Sequence, residues 1–484
     1  MVDRADSDAT TTGEGFPRDS GAAPRHHGGR TRGTGTTRRV WELAWPVIVT
    51  NLAQNVGGLV SLAVVSQALG PEGIAARNVG MRVFFTLEVF VMAIATGTTA
   101  LVARAWGAGD RAEAERVGRT SLWLSLGVAG LITFPVIASA DTLVGIFDLD
   151  ANTADMAATF VRWSAAGTLV FAVNFIPMAS LRAAGDTVRP MFFGLLTSAI
   201  GISTIYLFVG GAFGAPRLGM DGVGLSMLSS FAASGLALLV LWRIGWLVVG
   251  WGPPGDTFNR ARIRMLVRIG LPAGLEQFVF SFGLGAFIWF VAKYGTAANA
   301  AYGVGVDILA LSFLLGLGFS IAASTLVGQH LGAGDPAGAE RAGWRALWLS
   351  MSVMSAFGAL LVGFAEPIIR ALNVDDPETI RLTIAFMWCL GSVQPLMAVE
   401  FTLGGALRGA GDTRFPLFAV FTGLVGARIG GAVLVWHVFE APVEWIYAAL
   451  IPDYILKAVL LTWRFRSGRW KTVLPTGEPG AAWP

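Results

Sequence analysis

The chain contains a single cysteine, Cys389, and four histidines among its 484 residues. One cysteine excludes an internal disulfide, and its place in an apolar stretch is typical of a buried packing residue. No histidine has the spacing to a Cys or an acid that is typical of a metal site. The sequence also lacks the Gly-Lys-Ser/Thr loop that cradles nucleotide phosphates. We therefore expect no metal, no cofactor and no direct ATP drive.

Charge is also scarce, because only 14% of the residues are charged and 54% are hydrophobic. One water-soluble core cannot hide so much apolar surface, whereas a bilayer accepts about 20 apolar residues per helix. These stretches are twice as long as barrel strands and apolar on all sides, which predicts an all-α membrane protein. Twelve spans are predicted, at about 41–68, 78–103, 119–140, 157–180, 190–212, 222–249, 268–293, 300–326, 343–365, 380–406, 416–438 and 444–465.

The arginines and lysines predict the orientation of these spans. Most of them fall in the amino-terminal segment and in the loops on the same side, and the other side is acidic. Both termini are therefore predicted to be cytoplasmic, in a multi-pass protein of the cell membrane. Residues 1–39, which contain almost no large apolar side chain, are predicted to be a disordered tail without a cleavable signal peptide. The basic residues act as topological anchors and predict no nucleic-acid partner.

Two segments of the sequence occur twice. The segment Leu181–Pro190 returns as Leu407–Pro416, and Leu101–Asp110 returns as Leu326–Asp335, at separations that differ by one residue. Such repeats are the usual frame of an alternating-access transporter. We predict two pseudo-symmetric six-helix lobes of like orientation. The predicted boundaries are a tail at 1–39, an N-lobe at 40–249, a linker at 250–267, a C-lobe at 268–466 and a cytoplasmic tail at 467–484.

The repeated Leu-Arg-x-Ala-Gly-Asp-Thr segments allow two readings. Each Asp is a good N-cap for the following helix, and each Arg is an ordinary interfacial anchor. Equivalent caps on two lobes are also natural gate or hinge positions. The candidate gate or hinge residues are Arg182, Gly185, Asp186, Arg408, Gly411 and Asp412.

Carboxylates inside the spans are candidates for ion coupling, because an acid within the bilayer is costly. The candidates are Glu276, Glu400, Asp307 and Glu88. Each could bind H+ or contribute oxygens to a Na+ site. The structural alternative is an ion pair or a packing hydrogen bond, with Lys293 for Asp307 and Arg82 for Glu88.

Substrate is expected in the cleft between the lobes. Adaptable Phe- and Met-rich walls suit promiscuous binding. The polar candidates are Gln54, Asn55, Asn174, Gln277, Tyr302 and Gln394. Arg428, within the eleventh span, is expected to anchor a helix or to pair with an acid rather than to bind substrate.

At these motifs the chain resembles the multidrug and toxic compound extrusion family of efflux antiporters. The resemblance includes Pro46 with Asn51 and Gln54, Pro272 with Glu276, and the closing Arg466–Lys471, and it covers about 40–471. It implies a two-lobed bundle that exports organic, often cationic and amphipathic, compounds in exchange for H+ or Na+. It also implies no enzymatic activity, and we expect a monomer.

One departure from that family bears on coupling. Many prokaryotic relatives carry an Asp late in the first helix and an Asn/Asp pair in the fifth, whereas this chain has Leu59–Leu62 and Gly201–Ile205 there. Coupling is therefore expected in the C-lobe. Two other functions stay open: a flippase for lipid-linked sugars or another amphiphile, favoured by a strongly basic cavity, and a polytopic membrane enzyme, which would need clustered acids or histidines.

Overall fold

The computed structural model describes residues 34–252, 257–371 and 376–474, and every regular element within these ranges is helical. The remaining parts of the two predicted tails and of the linker lie outside the described residues. The helices are α1 (Thr34–Gly107), α2 (Arg111–Ala138), α3 (Ala140–Val144), α4 (Ala151–Ala183), α5 (Val188–Phe208), α6 (Gly219–Arg243), α7 (Arg260–Ala292), α8 (Thr296–Gly332), α9 (Pro336–Gly363), α10 (Ala365–Ala371), α11 (Pro377–Gly409), α12 (Arg414–Val420), α13 (Gly430–Val433), α14 (Val443–Ala448) and α15 (Leu450–Arg466).

Eleven of the described helical segments are long and apolar enough to cross a membrane. The first of them holds two spans, because α1 has 74 residues, and at 1.5 Å per residue it is far longer than a bilayer is thick. The helix breaks at Gly70, whose φ of 65° and ψ of −161° suit glycine but no L side chain. Pro71 follows directly, so the chain reverses there. Twelve spans result, as the sequence predicted.

Two predicted boundaries were wrong. Helix α1 begins at Thr34 and not after the predicted tail at 39, and an Arg38–Glu42 ion pair at i,i+4 supports its first turns. The sixth span ends at Arg243, because the chain turns at Gly245, where φ is 76°. Helix α15 ends at Arg466, and the segment that follows packs back on it, since the Trp470 ring stacks on Phe465 at 4.8 Å.

The eleventh span is not a regular α-helix. Between α12 and α14 the chain forms two π-helical segments, Phe421–Ile429 and Leu434–Val438. Such wide turns are frequent at functional sites. Arg428 lies in the first of them, with 1% of its surface exposed.

Among the described residues, the apolar clusters shared by the two lobes lie on one face. Apolar clusters that contain residues of both lobes join the start of α1 to α8, and the end of α1 to the first turns of α7. All of these residues lie on the face that holds both termini. Toward the opposite face the apolar clusters stay within one lobe, around Phe160 in the N-lobe and Phe386 in the C-lobe. The structure is thus closed on the terminal face.

Backbone contact makes this closure tight. Gly107, at the end of α1, lies so close to Gln329 that an added Cβ would collide with its carbonyl, and Gly332 lies equally close to the Arg104 carbonyl. The Thr325 hydroxyl donates to the Arg182 carbonyl at 3.1 Å across the same junction. The four segments of the repeats therefore meet here.

Candidate ion-coupling site

An ion pair inside the C-lobe links α7 to α11. Glu276 follows the Pro272 turn of α7, and its Oε1 accepts a hydrogen bond from Arg408 Nη1 at 2.6 Å. The other guanidinium nitrogen of Arg408 donates to the Ser320 hydroxyl at 3.2 Å. The second carboxylate oxygen of Glu276 is buried and receives no hydrogen bond from any described residue. Glu276 therefore has a buried acceptor position available for a proton.

A second group of charges lies nearby, between α11, α15 and the first π-helical segment. The Lys457 amine lies 3.2 Å from Glu400 and 3.1 Å from Asp453. The other oxygen of Asp453 lies 2.6 Å from Arg428. The side chains of Asp453 and Lys457 are fully buried.

These two groups form one charge-balanced network, because three carboxylates face three cations. Helix α11 joins the two groups, because it carries both Arg408 and Glu400. A buried charge that loses its partner is strongly destabilised, whereas a paired one is tolerated. A proton on one carboxylate would therefore release a cation and require the helices to pack again. This coupling of charge to packing is what an ion-driven transporter needs.

The N-lobe repeat lacks these acids. At the offset that relates Arg182 to Arg408, Thr50 corresponds to Glu276 and Asn174 to Glu400. The Thr50 hydroxyl donates to its own helix at Pro46, and Arg182 stacks over Phe175 at 5.3 Å. The two lobes thus share a backbone plan but differ in charge.

The structure does not bring the other two predicted acids to this network. Glu88 is buried in the second half of α1, and Asp307 is an exposed residue of α8. Neither has an ion pair with a described residue, so the alternative partners Arg82 and Lys293 were wrong. Lys293 instead lies over the Trp289 ring at 4.5 Å. The coupling roles of Glu88 and Asp307 stay untested predictions without geometric support.

The predicted substrate contacts divide into two groups. Gln54 and Gln277 are exposed and Asn55 is half-buried, which is compatible with a cleft. The expectation that Asn174, Tyr302 and Gln394 face a cleft is wrong for this conformation, because all three are buried within their lobes. Asn174 donates to Ser234 at 2.8 Å, Gln394 donates to Ser312 at 2.6 Å, and Tyr302 packs against the Phe386 ring.

The gate or hinge residues lie at the closed face. Arg182 and Gly185 adjoin α8, since Gln329 donates to the Ala183 carbonyl at 2.9 Å. The Asp186 carboxylate accepts a hydrogen bond from the Arg189 backbone N–H, as a helix-capping residue does. Asp412 was also expected to cap a helix, but it pairs with Arg464 at 2.7 Å, because α15 brings that guanidinium beside it. The Leu474 side chain occupies the space that a Cβ on Gly411 would need.

A family comparison agrees with this geometry. The MatE family profile matches residues 46–207 and 272–434, which together form more than half of the chain. The chain belongs to the MatE family. It is therefore a multi-pass membrane transporter and not an enzyme, and the resemblance predicted from the repeats is confirmed.

Curated relatives and solved structures support the same assignment of this MatE protein. The chain is 29% identical to a probable multidrug resistance protein NorM of Thermotoga maritima, over 89% of this chain and 92% of that one. It is 30% identical to a counterpart from Rhodopseudomonas palustris, over 87% and 90%. A MOP superfamily transporter of Pyrococcus furiosus has the same fold, with a TM-score of 0.84, 21% identity and coverage of 90% and 97%.

Sequence reasoning missed two members of the network in this MatE protein. Asp453 lies inside the last predicted span. Because an acid within the bilayer is costly, it was as good a candidate from sequence as Glu276. Lys457 follows it at i+4, a spacing that places both side chains on one helix face. Arg408 was recognised only as a gate or hinge residue, because nothing local to α11 indicates a partner on α7.

Proposed function

We propose that this MatE protein is a secondary antiporter that exports small organic, amphipathic or cationic compounds in exchange for H+. The multidrug resistance names of its relatives support the substrate class. The observation that carries the proposal is the buried pairing of Glu276 with Arg408 next to the Glu400–Lys457–Asp453–Arg428 group.

The internal cations favour a proton over Na+ as the coupling ion. Each carboxylate of the network already faces an arginine or a lysine, so its oxygens are not grouped into the shell of ligands that Na+ would need. A proton needs no coordination shell and could bind the free Oε2 of Glu276. The chemistry of the donor set therefore suits protonation better than the multiple oxygen ligands of a metal ion.

Protonation of Glu276 would also reach the junction between the lobes. A neutral Glu276 would bind Arg408 more weakly. The residue after Arg408, Gly409, packs against the Ser324 backbone of α8. Helix α8 is one of the helices that close the terminal face. We propose that the charge state of Glu276 thereby biases the closed and open arrangements of that face.

The remaining parts of the proposal concern orientation and assembly. Both termini are cytoplasmic, so the structure is outward-facing. The N-lobe and the C-lobe rock against each other in a monomer of the cell membrane. Substrate would enter the open side near Gln54, Asn55 and Gln277.

Dye efflux from proteoliposomes tests the coupling. We expect efflux under an imposed pH gradient, no efflux under an imposed Na+ gradient alone, and loss of pH-driven efflux in Glu276→Gln. The matched control is Glu340→Gln, which makes the same change in a partly exposed ion pair with Lys471. Full pH-driven efflux by Glu276→Gln, or efflux driven only by Na+, would overturn the proposal.

The alternative of a flippase for lipid-linked sugars is not favoured by the geometry. A strongly basic cavity would favour that reading. Arg428 and Lys457 are instead paired with acids inside the C-lobe. Loss of efflux under both gradients, with transfer of a labelled lipid retained, would nevertheless support it.

A further inference from the structure

A basic crevice opens on the terminal face of the C-lobe, away from the ion-coupling network. Its volume is about 340 Å³, and it lies between the starts of α7 and α12, the end of α15 and the segment around Leu474. Three arginines line it, Arg268, Arg414 and Arg464, with Asp412 as the acidic lining residue. Its volume is at the lower end of the range for small-ligand sites.

Two of these arginines have no acidic partner among the described residues. Arg464 is neutralised, because its Nε lies 2.7 Å from the buried Asp412 carboxylate. Arg268 and Arg414 are exposed and make no described ion pair. The crevice therefore carries two unbalanced positive charges.

The N-lobe copy of the same motif is arranged differently. There Asp186 pairs with Arg189 of its own helix start at 3.0 Å, and that guanidinium lies over Trp246. The residue that corresponds to Arg414 is Val188. The free basic charge is thus specific to the C-lobe, and the pseudo-symmetry of the fold does not account for it.

The surroundings of the crevice indicate contact with lipid. Phe418 lines it with half of its surface exposed, and Trp463, on the neighbouring helix, is similarly exposed. The Phe415 ring lies between them, 5.9 Å from each. In a membrane-spanning helix such exposed aromatics face acyl chains and headgroups.

We propose that this crevice binds the phosphodiester of an anionic phospholipid from the leaflet on the terminal face. Basic pockets between transmembrane helices at that interface suit anionic headgroups, and arginine binds phosphate in a forked geometry. The acyl chains would lie along Phe418 and Trp463. The choice of leaflet rests on the proposed orientation, but binding itself does not depend on the coupling ion.

Native mass spectrometry of the purified full chain tests this site. The protein would be exposed to phosphatidylglycerol, to phosphatidylcholine and, separately, to inorganic phosphate. We expect selective retention of phosphatidylglycerol, and a loss of about fivefold in its affinity in Arg414→Gln, the order that one basic residue contributes at an anionic surface. Arg243→Gln, which removes an exposed arginine of α6, is the matched control and should change little.

The outcomes separate the sources of the anion. Equal loss of phosphatidylglycerol in both variants would indicate general surface attraction and overturn the proposal. Binding of inorganic phosphate that phosphatidylglycerol does not displace would also overturn it, because the site would then take a free anion. Dye efflux of Arg414→Gln under a pH gradient checks that the variant is folded and keeps lipid binding separate from coupling.

Discussion

Arg408, in the carboxy-terminal repeat motif, contacts Glu276 of α7 at 2.6 Å. The corresponding arginine of the other lobe, Arg182, contacts an aromatic ring. One repeat therefore carries a buried ion pair where the other has an arginine packed on an aromatic ring. Because Arg408 adjoins the lobe junction, this pair links a titratable group to the closure of the terminal face.

The first prediction concerns the energy of this pair. Arg408→Gln leaves the Glu276 carboxylate without its cation and is expected to lower the free energy of unfolding by about 2 kcal/mol. The double variant with Glu276→Gln should recover part of this loss, because no unpaired charge remains. Equilibrium unfolding in micelles measures both. Strict additivity of the two single changes would show that the pair is not energetically coupled.

The second prediction concerns Asp453, which lies between two buried cations. Asp453→Asn should cost about 3 kcal/mol in the same assay, since Arg428 loses its acidic partner and Lys457 loses one of two. Asp141→Asn is the control, because its ion pair with Arg162 is exposed and should contribute less than about 1 kcal/mol. Similar losses in the two variants would contradict the network as described.

The third prediction concerns closure of the terminal face. Gly332→Ala would place a Cβ against the Arg104 backbone and should shift the protein toward an arrangement open on that face. Spin labels at Ala108→Cys and Ala337→Cys, in a Cys389→Ser background, should then report a longer distance. Gly303→Ala in the same helix meets no atom within 4 Å and serves as the control. An unchanged distance in Gly332→Ala would be inconsistent with this description of the junction.

The fourth prediction concerns a loop on the opposite face. The Thr379 side chain and backbone N–H donate to the Asp376 carboxylate and hold its pKa below the ordinary value. A lowered pKa stabilises the fold at pH values above the ordinary pKa, and this stabilisation is lost as the pH falls through the folded-state value.

Asp376→Asn keeps a good capping residue but removes the charge. It should lower the melting temperature at pH 7, and the difference from wild type should begin to shrink as the pH falls to about 4 and vanish only below the folded-state pKa. Thermal unfolding across this pH range checks the sign. A difference that grows with acidification would contradict the assignment.

Much of the fold could be predicted because its signals are local. The length of each apolar stretch predicts a span, and the repeated segments predict the two lobes. A boundary error arose where the backbone conformation of a single residue decides, as at Gly245, where the chain turns after the sixth span. Gly70 gave no sequence signal of its conformation beyond the proline that follows it.

The site could be predicted only in part. Glu276 and Glu400 stand out as acids in apolar spans, but their partners Arg408 and Lys457 come from other helices. Asn174 and Gln394 looked like cleft residues because an amide in a span suggests a ligand. In the structure the amide nitrogen of each donates to a serine on a neighbouring helix. Sequence patterns do not indicate which helix faces meet across a lobe.

Proton release on substrate binding tests the central claim most directly. Purified protein in a weakly buffered micelle solution would be mixed with a cationic dye while the pH is recorded. Dye that binds in exchange for a proton should acidify the solution with wild type and with Glu340→Gln, but not with Glu276→Gln. Undiminished acidification by a Glu276→Gln protein that still binds the dye would contradict the account.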